Sequence, residues 1–313
     1  MSTKSKLKIV SAVLGNHIQT SSDEYYFACP VCDHHKLKFA VNIKKGLYHC
    51  WACDYRGRKL RRLIRRFGTF TQLQKWDQQH GRTDLDQFID LFSECPKEEE
   101  KEKLELPPEF RTLTDNMPPR TAGRALRYLQ ERGLTKEDIL RWKIGFCFSG
   151  EYRNRIIVPS FDTDGDVNYF IARSNSGDSY KYKNPRASKN IIFNELYVNW
   201  NEDLILVEGV FDAIVAGNAV PILGSTLRTD SQLLRKIVEN DTPVYIALDP
   251  DARNKENRII KMLLEYDIEL YKIDVSGFED VGSMTKEDFQ KRKQTAKMID
   301  RESYLLLDLL SAI

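Results

Sequence analysis

The sequence predicts an α+β chain of several domains: a small β-rich module at the amino end, a mixed α/β segment, and an α/β domain built on a parallel sheet. Three observations carry this. Residues 25–55 alternate as short strands around two Cys-x2-Cys pairs, residues 95–120 are charged and proline-rich, and after Asn201 strand-like apolar runs alternate with helical ones. A chain of 313 residues has room for two or three compact domains, and its 41% hydrophobic fraction suffices for their cores.

Residues 1 to about 20 predict a short helix with Leu7, Val10, Val13 and Leu14 on one side. Strands are expected at 25–28, 38–42 and 46–49, with Lys44-Lys45-Gly46 as a turn, and helices at 59–67 and 84–92. The charged run 95–103, followed by Pro107-Pro108 and Pro118-Pro119, buries little and is stiffened by proline, so it reads as a linker. Ala125, Leu126 and Leu129 predict a helix capped by Gly133, and Thr135-Lys-Glu-Asp138 opens the next one as a capping-box variant. Residues 155–183 read as a β-meander around the turn Asp162-Thr-Asp-Gly165. Then come strand 203–207, helix 210–217, strand 220–224, helix 230–239, strand 243–248, helix 254–265 and strand 268–274, the order of a parallel sheet with covering helices. The expected divisions are 1–94, 95–120, 121–200, 201–285 and 286–313.

Cys29-x2-Cys32-x17-Cys50-x2-Cys53 has the spacing of a four-cysteine zinc ribbon, in which two tight turns each present two thiolates to one tetrahedral ion. In a module of this size the metal is expected to replace a hydrophobic core. His34, His35 and His49 lie close enough in sequence that one of them could replace Cys32 as a ligand. No secretory signal and no membrane-spanning apolar run is present, which points to a reducing cytoplasm, where paired cysteines favour metal over disulfide. Cys95 and Cys147 read as ordinary packed thiols.

A net charge of +2 conceals an asymmetry: residues 36–66 hold eleven Lys or Arg and one acid, Asp54. Lys36, Lys38, Lys44 and Lys45 interleave with Phe39, Tyr48 and Trp51, a pattern suited to single-stranded nucleic acid, with rings on bases and cations on phosphates. The helix from Arg58 turns Leu60, Leu63, Ile64 and Phe67 inward, and its six cations, Arg58 and Arg62 among them, suit phosphate contact; a solvated amphipathic face is the plainer alternative.

Glu208-Gly209 follows one wholly apolar strand, and Asp249-Pro-Asp251 follows another. Side chains at the carboxyl ends of neighbouring parallel strands converge on one crevice. Carboxylates gathered there repel unless hard cations neutralise them, so Mg²⁺ or Mn²⁺ is the expected cofactor. Asp212, one helical turn after Glu208, faces the same crevice, and Asp280 is a further candidate. Singly, each acid has a duller alternative as a cap, a turn residue or a solvated loop acid. There is no glycine-rich Walker A loop.

Taken together these residues resemble the TOPRIM domain, and residues 25 to about 290 are similar to the replicative DNA primases, nearer the bacteriophage T-even type than the bacterial DnaG type. Tyr48-His-Cys50-Trp-x-Cys53 resembles the primase zinc-binding domain. Tyr128-Leu-Gln-Glu-Arg-Gly133, Trp142-Lys-Ile-Gly-Phe146 and Arg155-Ile-Ile-Val-Pro159 look like the start of the RNA polymerase domain. Three departures stand out. Four cysteines are available where DnaG-type sites often include a His. Asp280 is followed by Val281-Gly282 where that family commonly has Asp-Pro-Asp. The thirty or so residues after Asp280 also leave no room for the helicase-interaction domain of the bacterial enzymes.

The resemblance implies a DNA-templated RNA polymerase that makes short RNA primers from NTPs on single-stranded DNA, with structural zinc and catalytic Mg²⁺ or Mn²⁺. Glu208, Asp249 and Asp251 would hold the ions, assisted by Asp212 and Asp280. Lys181, in the Lys181-Tyr182-x-x-Pro185 segment, would lie beside the polymerisation site, and Lys181 and Arg155 would steady NTP phosphates or grip the template. A replicative hexameric helicase is the implied partner, and the cytoplasm, a host's if the chain is phage-encoded, the implied location. The alternatives are a TOPRIM metal-dependent nuclease and a zinc-ribbon/TOPRIM recombination mediator. The apolar face of the helix expected at 304–310 could dock a partner or cover its own domain.

Overall fold

The computed structural model describes residues 3–32, 34–82, 104–114, 119–175, 180–223, 227–299 and Tyr304. The chain forms two compact units, Met1–Asp84 and Leu85–Ile313. Among the described residues no helix is long and apolar enough to cross a membrane.

The first unit begins with α1 (Thr3–Leu14). The helix is shorter than expected: Gly15 takes a positive φ of 84°, and His17–Gln19 becomes a strand, β1, paired with β2 (Glu24–Phe27). With β3 (Phe39–Asn42), β4 (Leu47–Cys50) and β5 (Arg56–Gly57) these form one sheet in the order β1-β2-β3-β4-β5. Then come α2 (Leu60–Phe67) and α3 (Phe70–His80); the latter starts from a full capping box in which Thr69 and Gln72 satisfy each other's N–H groups. Ile9 and Val10 of α1, Leu60, Leu63 and Ile64 of α2, and Leu73 and Trp76 of α3 bury against Phe27, Phe39, Val41 and Ile43. The unit therefore has a substantial apolar core of its own, correcting the expectation that metal would stand in for one. Arg61 is buried, and its guanidinium grips Asp77 of α3 at 2.7 and 2.9 Å. That cation ties two helices together and is withdrawn from the basic surface.

The second unit opens with β6 (Phe110–Thr112), inside the stretch expected to be linker. It pairs with β7 (Gly145–Cys147), and the antiparallel sheet continues through β8 (Arg155–Phe161) and β9 (Val167–Ser174). Between β6 and β7 lie α4 (Pro119–Glu131) and α5 (Lys136–Arg141), and the predicted capping box, Thr135 with Asp138, opens α5.

The second sheet follows: β10 (Leu204–Val207), α6 (Val210–Ala216), β11 (Ala219–Pro221), α7 (Gln232–Asn240), β12 (Val244–Ile246), α8 (Arg253–Glu265) and β13 (Leu270–Lys272). Its order is β11-β10-β12-β13-β14, the first four strands parallel. Leu204–Val207 is apolar throughout because both faces are covered: Ile205 and Val207 join the core that includes α6 and the antiparallel sheet, whereas Leu204 and Leu206 join the core under α7 and α8. The segment expected to be a separate helical tail belongs here in part. After α9 (Lys286–Gln294), β14 (Lys297–Met298) adds an antiparallel edge to β13. The helix expected at 84–92, the charged run 95–103 with Cys95, and the helix expected at 304–310 lie outside the described residues, Tyr304 excepted.

Candidate functional site

In the first unit, strand register builds the thiol cluster. Phe27 of β2 pairs with Phe39 of β3, which pairs with Cys50 of β4, so both Cys-x2-Cys turns emerge at the same end of the sheet. Cys29 and Cys53 sulfurs stand 3.7 Å apart, Cys32 and Cys50 sulfurs 3.8 Å, and all four lie within 4.8 Å of one another. A tetrahedron with Zn–S bonds of about 2.3 Å has edges of about 3.8 Å, so the donor set fits zinc. The histidines are engaged elsewhere: His34 Nδ1 accepts the Lys36 N–H at 3.1 Å, and His49 Nε2 meets Asp54 at 2.8 Å. Burial pushes the Cys29 thiol up to about 12. Burial acts the same way on Cys50, but backbone N–H groups of Cys53 and Ala52 outweigh it and bring that thiol down to about 7.

At the cysteine end, Trp51 is 65% exposed and Val31 is exposed on the other turn. The Trp51 N–H donates to the Lys38 carbonyl at 3.0 Å, which pairs the backbones of these two residues. Lys36, Lys38 and Arg58 are exposed and Arg62 is half-buried.

In the second unit, β10 and β12 are neighbours with Leu206 opposite Ile246, so Glu208 and Asp249 leave adjacent strand ends together. Asp212, in the first turn of α6, is buried and held from two sides: the Gly209 N–H donates to Oδ2 at 2.7 Å and the Gly282 N–H to Oδ1 at 2.8 Å. A Cβ at Gly282 would stand 2.8 Å from that oxygen, so the backbone can approach only as glycine. The segment after Asp280 thus meets the site through a main-chain amide, at the position where the resembling family commonly has the second acid that this chain lacks. Burial, then the Asp280 charge, raises the Asp212 carboxyl to about 6 against those two N–H bonds and Arg132.

Asp249 is raised to about 7, first by burial and then by the charges of Asp212, Glu208, Asp280 and Asp251. Glu208, Asp212, Asp251 and Asp280 thus all lie near enough to Asp249 for their charges to act on it. Their oxygens do not close as tightly as the thiols; among the described residues the four cysteines alone draw together within 4.8 Å. One oxygen of Glu208 (Oε1) and one of Asp249 (Oδ1) are buried without a hydrogen-bond partner. Buried acceptors in that condition, beside a repelling set of carboxylates, suit an oxygen-ligated divalent cation.

Two predicted cations fare differently. Arg155 is buried, and its guanidinium donates to the carbonyls of Ala172 and Tyr180, at 3.4 and 3.1 Å. These bonds tie the guanidinium to the backbone of its own sheet, a strand-anchoring role beside the phosphate contact expected of it. Lys181 is exposed, on a segment fixed to the end of β9 by the Ser174 N–H bond to its carbonyl at 2.9 Å. Sequence reasoning missed two other arginines. Arg132 Nε and Arg173 Nε both donate to the Tyr128 hydroxyl, at 2.8 and 2.9 Å. Arg132 also lies 4.9 Å from the centre of the Phe211 ring, adjacent to Asp212. It missed Lys255 too, whose ammonium contacts Glu208 Oε2 at 3.2 Å; a cation in the first turn of a helix was the available signal.

No family model matches the chain. Its fold is that of primases: it superposes on the zinc-binding and RNA polymerase domains of the Aquifex aeolicus primase with a TM-score of 0.50 and 19% identity, covering 94% of this chain and 84% of that one. A DnaG primase catalytic domain bound to single-stranded DNA gives a TM-score of 0.54 with 21% identity over 64% of this chain and 78% of that one. In sequence the chain is similar to bacterial DNA primases. It is 26% identical to that of Halalkalibacterium halodurans, covering 78% of this chain and 49% of the relative. With that of Listeria innocua it shares 25% identity, covering 73% and 46%. The chain thus spans about half the length of the curated relatives it matches.

Proposed function

We propose that the chain is a DNA primase: a DNA-templated RNA polymerase that makes short RNA primers from NTPs on single-stranded DNA. The observation that carries this reading is the crevice in which Glu208, Asp212, Asp249, Asp251 and Asp280 act on one another, with Asp249 raised to about 7 and two buried oxygens unpartnered. Glu208, Asp249 and Asp251 would hold Mg²⁺ or Mn²⁺, and Asp212 and Asp280 would assist. The ions, when bound, would activate the attacking hydroxyl and stabilise the leaving pyrophosphate. Lys181, Arg132 and Arg173 are the cations suited to the triphosphate, and Trp51, Lys36, Lys38, Arg58 and Arg62 form the template-facing surface of the zinc module. The nearer likeness to T-even phage primases, the hexameric helicase partner and the cytoplasmic setting belong to this same reading and rest on the sequence motifs.

The test is incubation of the zinc-loaded chain with single-stranded oligonucleotides of varied trinucleotide content, labelled NTPs and Mg²⁺. Short RNA is expected, lost with chelator and in Glu208→Gln, while Glu208→Gln still binds DNA. Shortening of labelled DNA without NTP use would replace the reading with the nuclease; DNA binding without RNA product would replace it with the recombination mediator.

A further inference from the structure

Lys255 stands in the first turn of α8, where the helix dipole disfavours a cation. The helix gains nothing locally from it. Ala252, at the N-cap, gives no side-chain cap, and the neighbouring Glu256 is taken by Lys272 at 2.6 Å. The ammonium instead crosses to Glu208 Oε2 at 3.2 Å, with the two side chains only 20% and 23% exposed. A residue that defies local preference and is held by a single long-range partner marks a site constraint.

We infer that Lys255 is a resident counter-ion of the acidic crevice: its ammonium neutralises Glu208 when no divalent cation is bound and competes with that cation for the same carboxylate. The inference rests on reading the crevice as a divalent-cation site. Its physical basis is that a divalent ion at the unpartnered Oε1 and the ammonium at Oε2 would share one carboxylate and repel each other across a few ångströms. That repulsion weakens the hold of an arriving ion or pushes the ammonium aside, and its flexible four-carbon stem allows it to swing away. Lys255 thereby lowers intrinsic metal affinity.

The test is titration of the full, zinc-loaded chain with Mn²⁺, followed by electron paramagnetic resonance of the free ion. Lys255→Met keeps the stem and removes the charge. It should bind Mn²⁺ about tenfold more tightly than wild type, the order expected for removing one adjacent unit charge from a half-buried site. Lys255→Arg should stay near wild type, and Lys255→Gln serves as a second neutral variant should Lys255→Met fold poorly. If wild type binds Mn²⁺ and Asp249→Asn abolishes binding, but the neutral variants bind equally or more weakly, the counter-ion inference is overturned and the cation site stands. If wild type binds no Mn²⁺, or Asp249→Asn leaves binding untouched, the cation-site reading itself fails and takes the inference with it.

Discussion

The two candidate metal centres are built on opposite principles. In the first unit a three-strand register brings the thiols to 3.7 and 3.8 Å, near the spacing an ion requires, and a core of three helices and a sheet supports them. In the second, carboxylates from separate strand ends gather less tightly, burial and their charges raise Asp249 and Asp212, and two buried oxygens are left without partners. The first site is organised to keep its ion. The second is held by the fold in electrostatic tension, which the proposed cation would relieve; an ion that also met substrate phosphates would need that openness. Strain of this sort persists only because the surrounding sheet is strong enough to impose it.

The sharpest way to break this comparison is Asp249→Asn. Primer synthesis should fall by about a thousandfold or more, as expected for loss of a group that stabilises transition-state charge, while the metal-free protein becomes more resistant to urea. Cys50→Ser should do the reverse to its own unit and lower stability. A metal-free Asp249→Asn protein that unfolds more readily than wild type would remove the claim of tension. Next in size is Arg61→Ala, which leaves the half-buried Asp77 with the longer Arg82 contact at 3.5 Å and should cost about 2 kcal/mol in urea unfolding of the first unit. Unchanged stability would mean that the helical core does not depend on that bridge.

Trp51→Ala should weaken single-stranded DNA binding about tenfold, the loss of one stacking platform of roughly 1–3 kcal/mol, with zinc content unaltered. A smaller and more diagnostic effect is pH. The Asp249 carboxyl rises from 3.8 to about 7 on folding, so between those values the folded state holds a proton that the unfolded chain has released. Metal-free stability of the second unit should therefore fall as pH rises through that window, and Mg²⁺ should offset the loss above it. The zinc module should move oppositely, losing its ion as pH falls and thiolates protonate. Parallel pH profiles for the two units would erase the distinction.

Much of this was legible in the sequence, for identifiable reasons. Leu204–Val207 reads as a central strand because both its faces are buried, and acids just past such runs must gather at one sheet edge. The cysteine spacing is a local signal and needs no tertiary knowledge. What escaped was decided by long-range contact. Phe110–Thr112 is three residues long and becomes a strand only by pairing with Gly145–Cys147. In α3 the apolar residues Phe70, Leu73 and Trp76 sit among glutamines, and its capping box is its clearest marker. Arg155 is indistinguishable in sequence from a phosphate-binding arginine until its strand turns it toward the Ala172 and Tyr180 carbonyls. Arg132 and Arg173 come together only because α4 and β9 converge on Tyr128.

The amide of Gly282 has a consequence for how such sites diverge. A main-chain N–H standing where the primase pattern commonly has a second acid leaves the site one unit less negative and still supports Asp212. Comparing carboxylate tallies between distant sequences would score this position as a loss and overlook that its main-chain N–H holds Asp212 in place. Its only trace in the letters is the absence of a side chain, because any larger residue would close the gap through which the nitrogen reaches the oxygen.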